Sequence, residues 1–236
     1  ITSPITMGAL LVFLTWREVL QVTAIPIIAV TFVLFILFHR LYKHFPAPRS
    51  RGFYLRQSLV ILRNRTFQGL LLVMAFRNMA LLVILTFLPI YLKEEFDLSG
   101  PIIAIYISLF MAAGAVTSPL IGHFSDRVGR KPVLMVMCIA GIVMAMLVTA
   151  VPNGPLLLLI VLGAGIVNAS IGAVSTAAAL DTIRRGLESA TLGPTLAIQE
   201  GISAVAPLAA GAVAMAFGVE SVFYFLAVIL VLATLV

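Results

Sequence analysis

Arg77 and Glu200 are the residues of this chain whose chemistry stands out, because each is an ionisable group set inside a long apolar run. A charge held in hydrocarbon is expensive, so such a residue is a functional candidate by default. A carboxylate at that depth can take up and release a proton. A guanidinium can hold an anionic group or discharge the carboxylate. The competing role is a permanent ion pair that only lets two helices pack. Asn78 follows the arginine, Gln199 precedes the glutamate, and Asn168 lies in another apolar run with Ser170, Ser175 and Thr176. For these polar residues, hydrogen bonding between helices competes with substrate contact.

The elements that must position them are set by composition. Hydrophobic residues make up 62% of the 236 residues and charged residues 10%, against about 45–50% and 25% in soluble domains. That excludes an ordinary soluble domain and indicates an integral membrane protein in contact with a lipid bilayer. Apolar stretches near the ~20 residues needed to cross hydrocarbon run over 1–14, 19–38, 67–92, 101–121, 133–151, 155–180, 191–217 and 221–236. They are continuously apolar rather than alternating, which predicts eight transmembrane helices and an all-α fold instead of a barrel. Because the pattern opens at Ile1 in mid-span, with no basic segment ahead of it, the chain reads as a fragment cut at both ends and not as one with a signal peptide. At ~1.5 Å per residue, Arg77 and Glu200 each sit roughly 14–15 Å into their spans, near the bilayer midplane.

Several chemistries find no residues to carry them. Cys138 is the single cysteine, which leaves no intrachain disulfide or cysteine metal site. His39, His44 and His123 lie at span ends, and no HExxH, GxSxG or P-loop pattern occurs. Neither a membrane-embedded enzyme nor a nucleotide-driven pump is indicated, and no cofactor or metal is implied.

Charge sets the orientation. Arg40, Lys43, Arg49, Arg51, Arg56, Arg63 and Arg65 fill the 39–66 connection; Arg127, Arg130 and Lys131 the next loop on that side; Arg184 and Arg185 the one after. Only Arg17 and Lys93 fall on the other side, near Glu94, Glu95 and Asp97 in the outer loop. Positive loops stay cytoplasmic, so the 39–66 and 122–131 loops face the cytoplasm and the net charge of +6 reflects topology, not nucleic-acid binding. The 39–66 linker interleaves Phe53, Leu55, Leu59, Val60 and Leu62 with Arg56, Arg63 and Arg65, a pattern for a short surface helix or a solvated linker.

An offset of about 200 residues lays Pro4-x-x-x-Gly8 on Pro207-x-x-x-Gly211, as expected of parallel duplicated halves. Small residues beside a proline allow close helix packing and a bend. Between two spans lies Gly122-x-x-x-Asp126-Arg127-x-Gly129-Arg130-Lys131. Gly122 permits close backbone approach, and Gly129 supplies a turn that side chains disfavour. Asp126 can accept from helix N-terminal amides or pair with Arg127 or Arg130.

This loop resembles, at every defined position, the signature of the major facilitator superfamily between the second and third helices of a six-helix half. The resemblance implies a helical bundle of twelve helices, of which helices five to twelve are present. Residues 1–38 would be the remnant of the N-terminal half, 39–66 the central linker and 67–236 the C-terminal half. It further implies that Asp126 and Arg127 take part in a cytoplasmic latch, and that the first and fourth helices of each half line the cavity, here the spans holding Arg77 and Asn168. The spans 19–38, 133–151 and 221–236 contain no ionisable residue, as the family's lipid-facing helices would. Asp181, near Arg184 and Arg185, reads as a gate or surface ion pair. A fifth-helix pattern associated with antiporters survives only in part around Pro4 and Gly8.

The resulting expectation is a monomeric, alternating-access transporter of a bacterial inner membrane, with a small organic molecule as substrate and protons as coupling ion, working as a drug or metabolite efflux antiporter. Import of a sugar or organic anion is the alternative, and a non-transporting receptor or scaffold the alternative of another class.

Overall fold

A computed structural model describes Leu10 and residues 15–41, 64–183 and 188–236. Most of the expected first span with Pro4 and Gly8, the expected surface helix in the linker, and Arg184 and Arg185 lie outside these residues. Among the described residues all regular structure is helical: α1 (Trp16–Leu41), α2 (Arg65–Phe96), α3 (Gly100–Val128), α4 (Arg130–Ala150), α5 (Pro155–Thr182), α6 (Glu188–Ser203), α7 (Ala206–Phe217) and α8 (Ser221–Leu235). Six stretches are long and apolar enough to cross a membrane, Thr191–Phe217 combining α6 with α7, and Ser221–Leu235 is a shorter apolar helix.

The apolar residues run nearly all round these helices, so neighbours rather than amphipathicity decide which face is buried. α5 packs along α3 and α4, α8 closes against α4 and α2, and α2 also meets α5, α6 and α7. Val83, Leu88, Leu157, Val161, Ile171 and Phe223 form the centre of the core. Tyr91 ties three helices together: its ring meets Phe223 edge-on at 5.0 Å, and its hydroxyl donates to the Val148 carbonyl at 3.4 Å. α1 makes no extended contact with the other described helices and leaves Ile25, Ile28, Phe32 and Phe35 exposed.

The closest helix crossing is α3 on α5. A Cβ on Gly165 would fall 2.0 Å from the Phe110 carbonyl oxygen, and one on Gly114 would fall 2.6 Å from the Ala169 Cβ. Backbones approach this closely only where side chains are absent. Gly211, the packing glycine expected from the repeat, would bring its Cβ no nearer than 3.8 Å to Phe87, an ordinary contact. Pro207 does mark a break: α6 ends at Ser203 and α7 starts at Ala206, with the proline in its first turn. A proline lacks the amide that a continuous helix would need there.

Two loop expectations are corrected. The stretch Gly122–Val128 is the last turns of α3, not a hairpin loop, and the junction with α4 is Gly129 alone. Gly129 has φ +108, and its amide donates to the Ser125 carbonyl at 3.0 Å. One glycine in that region of backbone space suffices, so the charged residues on either side remain helical. Likewise Glu94 and Glu95 belong to the last turn of α2, which ends at Asp97 with φ 46.

Candidate functional site

Arg77 and Asn78 are consecutive on α2, so their side chains leave the helix about 100° apart and meet different neighbours. Arg77 turns to α5: its Nε donates to the Asn168 carbonyl at 3.2 Å and its Nη2 to Asn168 Oδ1 at 3.0 Å. Asn78 turns to α6, and its Nδ2 donates to Glu200 Oε2 at 3.1 Å. The salt bridges formed among the described residues include Lys93–Asp97, Asp126–Arg130 and Arg130–Asp181, and none joins Arg77 to Glu200. Arg77 and Glu200 are therefore not a direct pair. Each is oriented by an asparagine from another helix, Arg77 by Asn168 and Glu200 by Asn78.

Arg77 rests on Gly172. A Cβ there would sit 2.9 Å from the guanidinium carbon. Asn168 and Gly172 are one helical turn apart on α5 and so share a face, the first supplying acceptors and the second the space. Asn168 engages Nε and Nη2, which leaves Nη1 available. Beside it a cleft of about 540 Å³ is lined by Ser118, Ala169, Ala173, Thr176 and Leu180. Small apolar walls, two hydroxyls and one cation suit a small organic molecule with an anionic end. Ser170 and Ser175 do not line this cleft: both are fully buried, and their hydroxyls donate to the Ile166 and Gly172 carbonyls of their own helix.

α6 turns its polar side inward. Thr191, Thr195, Gln199 and Ser203, each four residues apart, are all buried, whereas Leu196, Ile198 and Ile202 are exposed. In a bilayer that is the low-energy arrangement, because hydrocarbon solvates leucine and isoleucine but not amides or hydroxyls. Thr195 and Ser203 donate to the Thr191 and Gln199 carbonyls, and Ser203 also reaches the Ala75 carbonyl of α2. Gln199 is only 5% exposed, and its Oε1 has no hydrogen-bond partner among the described residues. Glu200, next to it, is exposed. Thr191, Thr195 and Ser203 went unselected from sequence, although their four-residue spacing was the available signal. Gly172 had a weaker one, its place a turn beyond Asn168.

At the α3–α4 junction, Arg130 is the hub. It pairs with Asp126 at 2.6 Å and with Asp181 of α5 at 3.0 Å. Its Nη1 also donates to Ser125 Oγ, which in turn donates to the Gly122 carbonyl. Arg127 is exposed and makes no ion pair among the described residues. Of the two candidate partners of Asp126, the one at i+4 is used, as helical geometry favours. A Cβ on Gly122 would meet nothing within 4 Å, so its expected close approach is not made among the described residues. Lys131 follows Arg130 in the first turn of α4 and is exposed.

No curated protein matches the chain. The family model described as Major Facilitator Superfamily matches it twice, over residues 1–193 and 70–236, which together span its length. With its membrane-crossing helices and its ordered α3–α4 signature, the chain belongs to the major facilitator superfamily of multi-pass membrane transporters.

Proposed function

We propose that this chain is the larger part of a proton-coupled efflux transporter, moving small amphiphilic organic compounds across a bacterial inner membrane by alternating access. In this reading 1–38 belongs to the N-terminal half, 39–66 is the cytoplasmic linker, and 67–236 is the C-terminal half. Glu200 carries the coupling proton and Arg77 contacts the cargo. The observation that carries the reading is that both charges lie inside membrane-crossing stretches, Arg65–Phe96 and Thr191–Phe217, and are held by Asn168 and Asn78 instead of by each other. A structural ion pair would be locked. A carboxylate whose only recorded partner is an amide can exchange a proton without leaving a buried cation unpaired.

The test uses the full-length protein in proteoliposomes with an imposed pH gradient. Glu200→Gln is expected to abolish gradient-driven transport, by at least tenfold, while cargo-for-cargo exchange continues. Gradient-driven transport at the unaltered rate overturns the coupling role. Arg77 over its cleft favours a second reading, in which the cargo is an organic anion and travels inward with protons. Uptake rather than extrusion under an inward-directed proton gradient would select it.

A further inference from the structure

A second cavity, of about 520 Å³, lies away from Arg77 and Glu200, between the N-terminal ends of α2 and α4 and the C-terminal ends of α5 and α8. Its volume is in the range of pockets that enclose small organic ligands, roughly 300–1,000 Å³. Its depth is apolar, with Val73, Leu134 and Cys138, while its mouth carries Arg65, Arg130 and Lys131 against the single carboxylate of Asp181. Arg130 is already shared between Asp126 and Asp181. Arg65 and Lys131 are exposed and have no ion pair among the described residues. Thr182 and Thr234 also line the cavity, but their hydroxyl protons are given to carbonyls of their own helices.

We infer that this cavity binds a phospholipid with a net negative headgroup, its phosphate on Arg65 and Lys131 and an acyl chain entering between α2, α4 and α8. An apolar interior under two uncommitted cations matches an amphiphilic anion. A neutral or zwitterionic lipid would leave that charge unmatched. Basic pockets between transmembrane helices on the cytoplasmic side take anionic headgroups for this reason. The cytoplasmic placement rests on the orientation proposed above, but binding itself does not, and the measurement below reads binding alone.

The experiment is native mass spectrometry of the full-length transporter exchanged into micelles containing equal phosphatidylglycerol and phosphatidylcholine. One phosphatidylglycerol should be retained at least tenfold over phosphatidylcholine, and Arg65→Gln with Lys131→Gln should remove that preference. Phosphatidylglycerol carrying a photoactivatable group on its acyl chain should label α2, α4 or α8 near Leu134, and Leu134→Trp should block the labelling. Should Leu134→Trp fail to fold, the exposed Arg65 and Lys131 replacements still decide the matter. Equal retention of the two lipids, or a preference untouched by the double replacement, overturns the proposal. Displacement of the lipid by millimolar glycerol phosphate also overturns it, since that would mark a site for a free anion.

Discussion

Arg77 is positioned by what α5 lacks as much as by what it offers. Its guanidinium lies where the Gly172 Cβ would be, so Gly172→Ala must push it away, and because the displaced atoms end a flexible side chain the fold should tolerate the change. The expected outcome is a thermal stability altered by less than about 1 kcal/mol, with KM for an anionic cargo raised about tenfold and kcat less affected. Equal transport kinetics in Gly172→Ala and the unaltered protein would mean that the guanidinium position is irrelevant to cargo. Asn168 and Arg77 were both legible in the sequence as polar residues in apolar runs. Their pairing was not, because helix rotation decides which of Arg77 and Asn78 faces α5, and rotation depends on contacts across the bundle. Asp97 illustrates a purely local effect: its hydrogen bond to Lys93 and that cation's charge hold its carboxyl below the usual range. A lowered value means that its small stabilising contribution is present above the ordinary carboxylate pKa and lost as pH falls through the lowered one. Because both side chains are well exposed, salt should screen it, and melting curves at neutral pH in low and high salt should differ little between Asp97→Asn and the unaltered protein.

The apolar runs made the helices themselves plain, since continuous hydrophobicity over about 20 residues has few other outcomes. Their ends were harder to read. Charge and glycine between Gly122 and Lys131 suggested a loop, but charged side chains are good helix formers, and only Gly129 adopts a non-helical backbone. Helix contacts depend on the same detail: Gly211 beside Pro207 makes only an ordinary contact with Phe87, whereas the closest approach among the described glycines is made by Gly114 and Gly165. These assignments separate experimentally. Gly165→Ala drives a Cβ into the Phe110 carbonyl, a backbone atom that cannot rotate away, and overpacking of this kind costs about 1–3 kcal/mol or more. It should lower the melting temperature and the yield of folded protein, whereas Gly122→Ala, with open space around it, should leave both unchanged. Equal stability of the two variants would contradict the α3–α5 crossing.

Alternating access requires that contacts between halves form and break while each half stays intact. Asp126, Arg130 and Asp181 sit on α3, α4 and α5, within one packed group of helices, and their ion pairs hold that group together. A link inside one rigid unit does not distinguish two arrangements of that unit against another, because it is present in both. Arg127 differs. It projects from the end of α3, exposed and without an ion pair among the described residues, so of the two latch residues implied by the family signature it is the one with bonding capacity left for a partner outside this group. Removing it should therefore change the balance of conformations with little effect on the fold. Removing Arg130 should weaken the fold first, because it leaves Asp126 and Asp181 without their shared cation. With the halves and orientation proposed above, spin labels on the cytoplasmic ends of the two halves of the full-length protein would read this as a distance distribution. Arg127→Gln should shift population between the short and long distances at an unchanged melting temperature. Arg130→Gln should lower the melting temperature by an amount corresponding to about 1 kcal/mol, since its guanidinium is largely covered but both carboxylate partners are more than half exposed and screened by solvent. If Arg127→Gln leaves the distances unchanged while Arg130→Gln alone shifts them, the hub rather than the exposed arginine is the switching contact.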